Sequence, residues 1–177
     1  MRFTELAALS GCAFLGACAP AGMGRMPASA EQATAEVRDA SGAQKATATA
    51  WPIGSALRVR VSGMNLAPGA YGAHVHTTGR CEPPKFDSAG PHWNPTAEQH
   101  GMNNPQGMHK GDLPNLMIGS DGRGSMETTI EGASLAGAGD RLMDLDGAAL
   151  VIHAGADDYR TDPSGNSGGR IACGVFR

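Results

Sequence analysis

Apolar and polar residues alternate in short runs along most of the chain after residue 33. The run 57–62 is the clearest case, because Leu57, Val59 and Val61 share one face while two arginines occupy the other. A period of two predicts a half-buried β-strand. Comparable runs lie at residues 35–37, 45–49, 71–77, 116–118, 125–130, 148–153 and 171–176. Glycine and proline turn signals separate these runs, so the pattern predicts an all-β domain, an eight-stranded antiparallel Greek-key barrel or sandwich.

Two long segments break the alternating pattern. Residues 78–114 contain repeated glycine and proline turn signals and no sustained period, and residues 154–169 are also irregular. A loop as long as the first segment, inside a compact domain, is usually functional or is held by something other than a hydrophobic core. The first segment is therefore where functional residues are expected.

Composition and charge exclude two classes of protein. The 177 residues include 26 glycines and 11 prolines, and only 18% are charged, which argues against a helical bundle or coiled coil. The length suits one domain. The net charge is -3 and the pI is about 6.0, so no basic surface for nucleic acid is expected and nucleic acid is not a predicted partner.

Residues 1–17 are typical of a secretory signal peptide. One arginine precedes an apolar run over residues 6–17 that is too short for a membrane span. Residues 15–18 (LGAC) resemble a bacterial lipobox, in which cleavage exposes a cysteine that is then acylated. Cys18 is therefore the lipidation candidate, residues 18–32 a flexible tether and residues 33–177 the folded domain. This organisation predicts a periplasmic protein anchored to a membrane; the alternative for the first residues is a buried N-terminal helix.

Export also determines the expected state of the other cysteines. Cys12 leaves with the signal peptide and Cys18 is the acylation candidate, so Cys81 and Cys173 remain as one pair in an oxidising compartment. A disulfide between them would close a loop of about 90 residues and stabilise the fold by roughly 4 kcal/mol. The alternative is two free buried thiols.

The six histidines are the strongest sign of chemistry. His74 and His76 flank Val75 in a predicted strand, so their imidazoles project from one face, where two ring nitrogens can share a metal ion. Three more lie in segment 78–114 with Asp112, and the last ends the apolar run 149–152; these four are His92, His100, His109 and His153. Seven potential ligands indicate two ions, and imidazole suits copper and zinc. The spacing leaves open which ligands group together.

Four stretches of the chain resemble motifs of one protein family. They are GAHVH at 72–76, SAGPHWNP at 88–95, HKGDL at 109–113 and GNSGGRIACGV at 165–175. In this order they resemble the copper/zinc superoxide dismutases, from about residue 34 to the end of the chain. The segment between Cys81 and His92, and the run DDYR at 157–160, are similar to the secreted bacterial branch of that family.

The resemblance implies a centre with one copper and one zinc per chain. It implies that four imidazoles hold copper: His74, His76, His92 and His153. It implies that three imidazoles and one carboxylate hold zinc: His92, His100, His109 and Asp112. His92 then bridges the two ions, and every histidine is used. The implied fold is an immunoglobulin-like Greek-key barrel with a long metal-binding loop and an electrostatic loop.

The resemblance also implies roles for residues around the metals. Asp157 matches a carboxylate that hydrogen-bonds one copper ligand and one zinc ligand. Arg170 matches an arginine beside the copper that attracts the anionic substrate, and Cys81 and Cys173 match a disulfide between the long loop and the last strand. The segment 157–164 contains no lysine, so the other residues that steer the substrate are left open. Three isolated cations are candidates for that steering: Lys85, Lys110 and Arg160.

By this resemblance the chain is an oxidoreductase that dismutates superoxide to oxygen and hydrogen peroxide while copper alternates between Cu(II) and Cu(I). Its catalytic residues are then His92, which takes up a proton and delivers it to peroxide, and Arg170. The superoxide anion is the expected partner, and the choice between monomer and homodimer is left open. The alternative is a non-catalytic periplasmic copper- and zinc-binding module on the same fold.

Overall fold

The computed structural model describes Met1 and residues 32–177. The predicted signal peptide beyond Met1, the lipidation candidate Cys18 and the tether up to residue 31 lie outside the described residues. Among the residues that are described, no helix is long and apolar enough to cross a membrane. The fold below is therefore that of the predicted domain 33–177.

Eleven β-strands and one short 3-10 turn make up the regular structure of the described residues. The strands are β1 (Ala33–Asp39), β2 (Gln44–Ile53), β3 (Ala56–Gly63), β4 (Gly69–Tyr71), β5 (Ala73–His76), β6 (Leu116–Ile118), β7 (Gly124–Glu131), β8 (Ala133–Ser134), β9 (Asp140–Arg141), β10 (Ala149–His153) and β11 (Arg170–Val175). The 3-10 turn is Asp87–Ala89. The all-β class predicted from the alternating pattern is confirmed.

Seven of these strands form one curled antiparallel sheet in the order β5-β10-β11-β1-β2-β3-β7. Strands β1, β2 and β3 follow one another directly, and β11 returns over a long connection to lie beside β1, which is the Greek-key arrangement. The other four strands form two short pairs, β4 with β6 and β8 with β9. The structure thus has a half-barrel of seven strands with small additions, in place of eight equal strands.

The structure has more strands than predicted in part because the predicted strand 71–77 breaks at Gly72. The amide of Gly72 donates a hydrogen bond to the carbonyl of Gly155 (2.7 Å) instead of continuing the strand pairing. A Cβ atom on Gly72 would lie 2.8 Å from the Cβ of Ser167, so only glycine fits against segment 154–169 here. The break separates β4 from β5 and brings this segment next to the first predicted metal ligands.

The main hydrophobic core lies on one face of the sheet. In β1, Ala33, Ala35 and Val37 are buried while the residues between them face outward, as the period of two predicts. Val59 and Val61 in β3 are fully buried in the same cluster. The interior is therefore supplied by small and β-branched side chains, which accounts for the low aromatic content.

Strands β5 and β10 depart from this alternation, because every residue in both is buried. Val75 and Leu150 pair across the two strands and point into the main core. On the opposite face, His74 pairs with Val151, and the long loops 77–115 and 154–169 cover that face. The fold thereby encloses the strand histidines between the sheet and the two irregular segments.

Candidate metal centre

Four buried imidazoles converge at the covered face of β5 and β10. These residues, whose metal-binding atoms all lie within 4.8 Å of one another, are His74, His76, His92 and His153. One ring nitrogen of each has no hydrogen-bond partner, namely His74 Nδ1, His76 Nε2, His92 Nε2 and His153 Nε2. Buried polar atoms are nearly always paired in folded proteins. Four lone nitrogens aimed at one point are the donor set that a copper ion takes.

The backbone explains why these four imidazoles meet. His74 and His76 lie two residues apart on β5, and His153 ends the neighbouring strand β10. The loop segment around His92 continues the sheet along the edge of β5, since the Trp93 amide donates to the carbonyl of Val75 (2.8 Å). This edge pairing fixes the position of His92 relative to β5.

Backbone carbonyls select the ring nitrogens that are left free. His76 Nδ1 donates to the carbonyl of Gly90 (2.8 Å), and His153 Nδ1 donates to the carbonyl of Gly168 (3.0 Å). Because a carbonyl only accepts, Nδ1 carries the hydrogen and Nε2 presents its lone pair. Such outer contacts orient imidazole ligands toward a metal.

A second cluster forms around the carboxylate of Asp112. Its Oδ1 atom lies close to three Nδ1 atoms, those of His100 (2.9 Å), His92 (3.0 Å) and His109 (3.2 Å). Its Oδ2 atom accepts the backbone amides of Gly101 (2.9 Å) and His109 (3.0 Å). Three imidazoles and one carboxylate are the ligand chemistry of a tetrahedral zinc site.

A glycine brings the Asp112 segment against the sheet. The amide of Val75 donates to the carbonyl of Gly111 (2.9 Å), and the amide of Gly111 donates to the carbonyl of Trp93 (2.8 Å). A Cβ atom at Gly111 would collide with the carbonyl of Val75. The glycine in the motif HKGDL is therefore required for this close approach, which places Asp112 beside His74.

His92 belongs to both clusters. Its Nδ1 faces Asp112, while its Nε2 is one of the four unpartnered nitrogens of the first cluster. Its side chain is nearly buried, so solvent does not compete for either nitrogen. One imidazole ring thus stands between two neighbouring metal-sized clusters.

Asp157 also links the two clusters, because its carboxylate contacts one imidazole of each. Its Oδ2 lies 2.8 Å from His74 Nε2 and its Oδ1 lies 3.0 Å from His100 Nε2. With Nε2 of His74 engaged by this carboxylate, the Nδ1 atom of the same ring is the one left for the first cluster. The structure therefore places Asp157 in contact with one imidazole of the first cluster and one imidazole near Asp112.

Burial and hydrogen bonding shift the pKa values of individual histidines in opposite directions. Desolvation lowers the pKa of His74 to about 3 and that of His153 to about 4, so these rings are neutral and keep a lone pair. Burial also acts to lower the pKa of His100, but its hydrogen bonds to Asp112 and Asp157 outweigh this and raise it to about 9. Metal ions bind neutral imidazole, so an ion bound by His100 must displace a proton.

A cavity of about 1210 Å³ opens onto the first cluster, and Arg170 lines it beside His76 and His153. The Arg170 guanidinium donates to the carbonyl of Phe86 from Nη1 and to the carbonyl of Gly90 from Nη2, both at 2.8 Å. The Gly90 carbonyl also accepts from His76, so one oxygen fixes a predicted copper ligand and the predicted anion-binding residue together.

The lining of this cavity carries more negative than positive side chains. Its cationic lining residues are Lys85 and Arg170, whereas its acidic ones are Asp87, Glu98, Asp144, Asp146 and Asp162. Of the other steering candidates, Lys110 points elsewhere, since its Nζ donates to the Glu131 carbonyl (2.7 Å) and pairs with Asp140 at 3.3 Å. Arg160 is exposed and does not line the cavity. The described lining as a whole is therefore acidic, with Lys85 and Arg170 as its two cationic residues.

The predicted cysteine pair forms a disulfide. Cys81 and Cys173 are bonded with a Cα–Cα distance of 5.6 Å and a sequence separation of 92 residues. The bond ties the loop that contains Phe86 to β11, the strand that begins with Arg170. The covalent link therefore supports the carbonyl that holds the guanidinium, and the free-thiol alternative is excluded.

Several residues that build the site carry no signal in the sequence pattern. The carbonyls of Gly90 and Gly168 are backbone groups, and Asn115 and Tyr159 resemble ordinary loop residues. One signal was available in Gly165, which adopts a left-handed φ of 62°. A Cβ atom there would collide with the Asp157 carboxylate, so a glycine in that motif marks the packing of the carboxylate.

An all-β scaffold with two adjoining clusters of buried imidazoles and carboxylates, sharing one ring, defines a protein built for a two-ion metal centre. A sequence model described as copper/zinc superoxide dismutase matches residues 41–176. The chain belongs to this family of oxidoreductases, whose cofactors are copper and zinc.

Individual relatives agree with this assignment. The chain is 48% identical over 122 residues to the superoxide dismutase-like protein YojM of Bacillus subtilis, covering 68% of this chain and 62% of YojM. It is 42% identical over 150 residues to the Cu-Zn superoxide dismutase of Caulobacter vibrioides, covering 82% of this chain and 85% of the relative. The fold is similar to the crystal structure of a SOD-like protein from Bacillus subtilis, with a TM-score of 0.76 and 38% identity over 80% of this chain and 96% of that one.

Proposed function

We propose that this protein dismutates superoxide to oxygen and hydrogen peroxide at a copper ion with a neighbouring zinc ion. The observation that carries the proposal is the set of four unpartnered buried imidazole nitrogens, three of which belong to residues (His76, His92 and His153) that line a cavity together with Arg170. Such a donor set fits copper, and a cavity lined by a guanidinium fits a small anion.

The proposed copper ligands are the four residues of the first cluster: His74, His76, His92 and His153. The proposed zinc ligands are the four residues around one carboxylate: His92, His100, His109 and Asp112. By distance alone, the four residues around Asp112 whose metal-binding atoms lie within 4.8 Å of one another are His74, His92, His100 and Asp112, without His109. We assign His109 to zinc instead, because His74 Nε2 is engaged by Asp157 and its Nδ1 faces the first cluster.

Bound copper supplies the one-electron chemistry, taking an electron from one superoxide and giving it to the next, while zinc has no redox role. Arg170 binds and orients the incoming anion, because its guanidinium is fixed by two carbonyls and has donors left over. His92 would hold a proton at Nε2 only while that nitrogen does not bind copper and would release it to peroxide, and its Nδ1 stays engaged on the zinc side. Two protons are consumed for each hydrogen peroxide formed.

We further propose that the protein works in the periplasm, with residues 1–17 as a signal peptide, Cys18 as an acylated anchor, residues 18–32 as the tether and residues 33–177 as the catalytic domain. The Cys81–Cys173 disulfide supports export, because such bonds persist in oxidising compartments. Mass spectrometry of the membrane fraction tests the anchor: a lipid adduct on a chain beginning at Cys18 supports it, and an unmodified soluble chain excludes it.

The metal content, visible spectrum and dismutation rate of the purified protein together test the proposed function. We expect one copper and one zinc per chain, and dismutation that depends on copper. The second candidate is a non-catalytic copper- and zinc-binding module, which the similarity to a protein named only superoxide dismutase-like favours. A fully copper-loaded sample without activity would establish that second candidate.

Replacement of Arg170 by alanine is expected to slow dismutation at low ionic strength by about tenfold, the lower end of the effect of a steering charge in a cleft. The variant leaves Lys85 as the one remaining cationic residue of the described cavity lining, among five acidic ones. The rate should also lose part of its salt dependence. Stopped-flow rates between 10 and 200 mM salt (roughly a 4.5-fold change in screening length) measure both effects.

The matched control for this prediction is Arg123→Ala, which removes an exposed arginine from the turn between β6 and β7, away from the cavity lining. Its rate and salt dependence should equal those of the parent protein. A wild-type rate for Arg170→Ala at low salt would remove Arg170 from the anion-binding role.

A further inference from the structure

The side chain of Asn115 forms hydrogen bonds with both the backbone amide and the backbone carbonyl of Asp157. The Asn115 Oδ1 atom accepts the amide of Asp157 (2.8 Å), and its Nδ2 donates to the carbonyl of the same residue (2.9 Å). An amide side chain offers an acceptor and a donor side by side on one planar group, as these two bonds require. These two bonds leave the Asp157 backbone a single orientation relative to the segment that contains Asn115.

Tyr159 closes the arrangement. The backbone amide of Asn115 donates to the Tyr159 hydroxyl (2.7 Å), and the backbone amide of Tyr159 donates to Asp157 Oδ1 (2.6 Å). Tyr159 has a left-handed φ of 62°, and its carbonyl accepts the amide of Asn103 (3.0 Å). Four hydrogen bonds therefore connect the three residues Asn115, Asp157 and Tyr159.

Asn115 is close in sequence to Asp112, the carboxylate of the second cluster. It lies three residues after Asp112, the carboxylate that faces three imidazoles directly. Through Asn115 the same short segment also holds Asp157, which contacts His74 at 2.8 Å and His100 at 3.0 Å. Residues 112–115 thus supply one carboxylate of the metal centre, that of Asp112, and hold the backbone of the residue that supplies the other, Asp157.

We propose that Asn115 is a positioning residue that joins the Asp112 and Asp157 carboxylates into one unit, so that a copper ligand and a zinc ligand are oriented together. The proposal rests on the ligand assignment of the proposed function but not on dismutation itself. A protein that binds both metals and turns over no superoxide would disprove the enzyme and leave the role of Asn115 intact.

Zinc affinity of the copper-free full-length protein is the first measurement, made by competition with a chromophoric chelator. Loss of outer contacts to metal ligands lowers metal affinity by 10- to 100-fold, and Asn115 acts one step further out, so Asn115→Ala should lower zinc affinity by about tenfold. The milder Tyr159→Phe removes one hydrogen bond and should lower it by a few-fold. An unchanged affinity in a folded Asn115→Ala, or in Tyr159→Phe if the alanine variant fails to fold, would overturn the proposal.

Asn94 provides a matched control inside the same loop. Its Nδ2 donates to the carbonyl of Glu98 (2.8 Å) and its Oδ1 accepts the amide of Glu98 (3.0 Å), the same two-bond grip on a residue that touches no proposed ligand. Asn94→Ala should therefore keep the parent zinc affinity. An equal loss in both variants would mean that any loosening of the loop weakens zinc, which would contradict a specific role for Asn115.

A double-mutant cycle separates positioning from general stability. If Asn115 acts through Asp157, then Asn115→Ala should have no further effect on zinc affinity in an Asp157→Ala background. The absorption band of the Cu(II)-loaded protein gives a second readout, because Asp157 orients His74: Asn115→Ala and Asp157→Ala should shift the band in the same direction. Additive losses in zinc affinity, or an unshifted band in a folded Asn115→Ala, would refute the proposal.

Discussion

Alanine at position 153 is expected to abolish superoxide dismutation while leaving zinc at close to one ion per chain. His153 Nε2 is one of the four free nitrogens of the first cluster, and its Nδ1 contacts only the carbonyl of Gly168. It makes no hydrogen bond to Asp112 or to the zinc-side imidazoles. Even outer contacts of a metal site are worth 10- to 100-fold, so loss of a ligand should lower the rate by more than about 100-fold. Elemental analysis and a dismutation assay on the same sample measure both effects.

The reciprocal variant His109→Ala controls for damage to the whole centre. His109 Nδ1 lies near Asp112 and His92, and His109 is not part of the first cluster. Its loss should reduce zinc content while copper is retained. Unchanged turnover in His153→Ala would refute the assignment of that residue to copper, and equal loss of both metals in both variants would show that the two clusters are not separable.

The sheet follows from the sequence wherever one face of a strand is buried. The alternation in 57–62 predicts β3, which the structure extends to Ala56–Gly63. The alternation of apolar and polar residues is weaker where both faces of a strand are covered. Strands β5 and β10 have no exposed face, so polar residues do not alternate with apolar ones at solvent-facing positions there. Two-residue strands such as β8 and β9 are too short to carry a period at all. Strand number was therefore harder to predict than fold class.

The metal centre likewise has one part that the local sequence pattern predicts and another that depends on contacts between residues far apart in the chain. A strand period alone puts His74 and His76 on one face. The meeting of that pair with His92 depends on edge pairing with β5, a contact between residues far apart in the chain. Spacing could not reveal it, and only the resemblance to a known family grouped the ligands.

The polar residues around the ligands were the least predictable part of the site. Asn115 reaches Asp157 across 42 residues of sequence, and the carbonyls that orient His76 and His153 have no side-chain signature. Each of these contacts exists only after the two long loops have packed on the sheet. Hydrogen bonds of this kind are a property of the folded structure rather than of any local pattern.

Removal of both metals is expected to lower the melting temperature by on the order of 20 °C. A ligand at 1,000 times its dissociation constant stabilises the folded state by about 4 kcal/mol per site, and each kcal/mol moves the transition of a domain this size by about 2–4 °C. The physical cause is visible in the centre, where buried nitrogens of His74, His76, His92 and His153 have no other partner. Differential scanning calorimetry before and after dialysis against a chelator measures the shift.

The zinc-loaded His153→Ala variant separates the contributions of the two metal sites to this change in melting temperature. It should melt below the parent protein and lose further stability when zinc is removed, because the cluster around Asp112 is still complete. The intact Cys81–Cys173 disulfide, verified by mass spectrometry, keeps the covalent constraint constant in every sample. A β-sandwich of the cell envelope with incidental histidines would melt at the same temperature with and without chelator. That result would contradict the metal centre itself, since bound ions that stabilise only the folded state must raise its melting temperature.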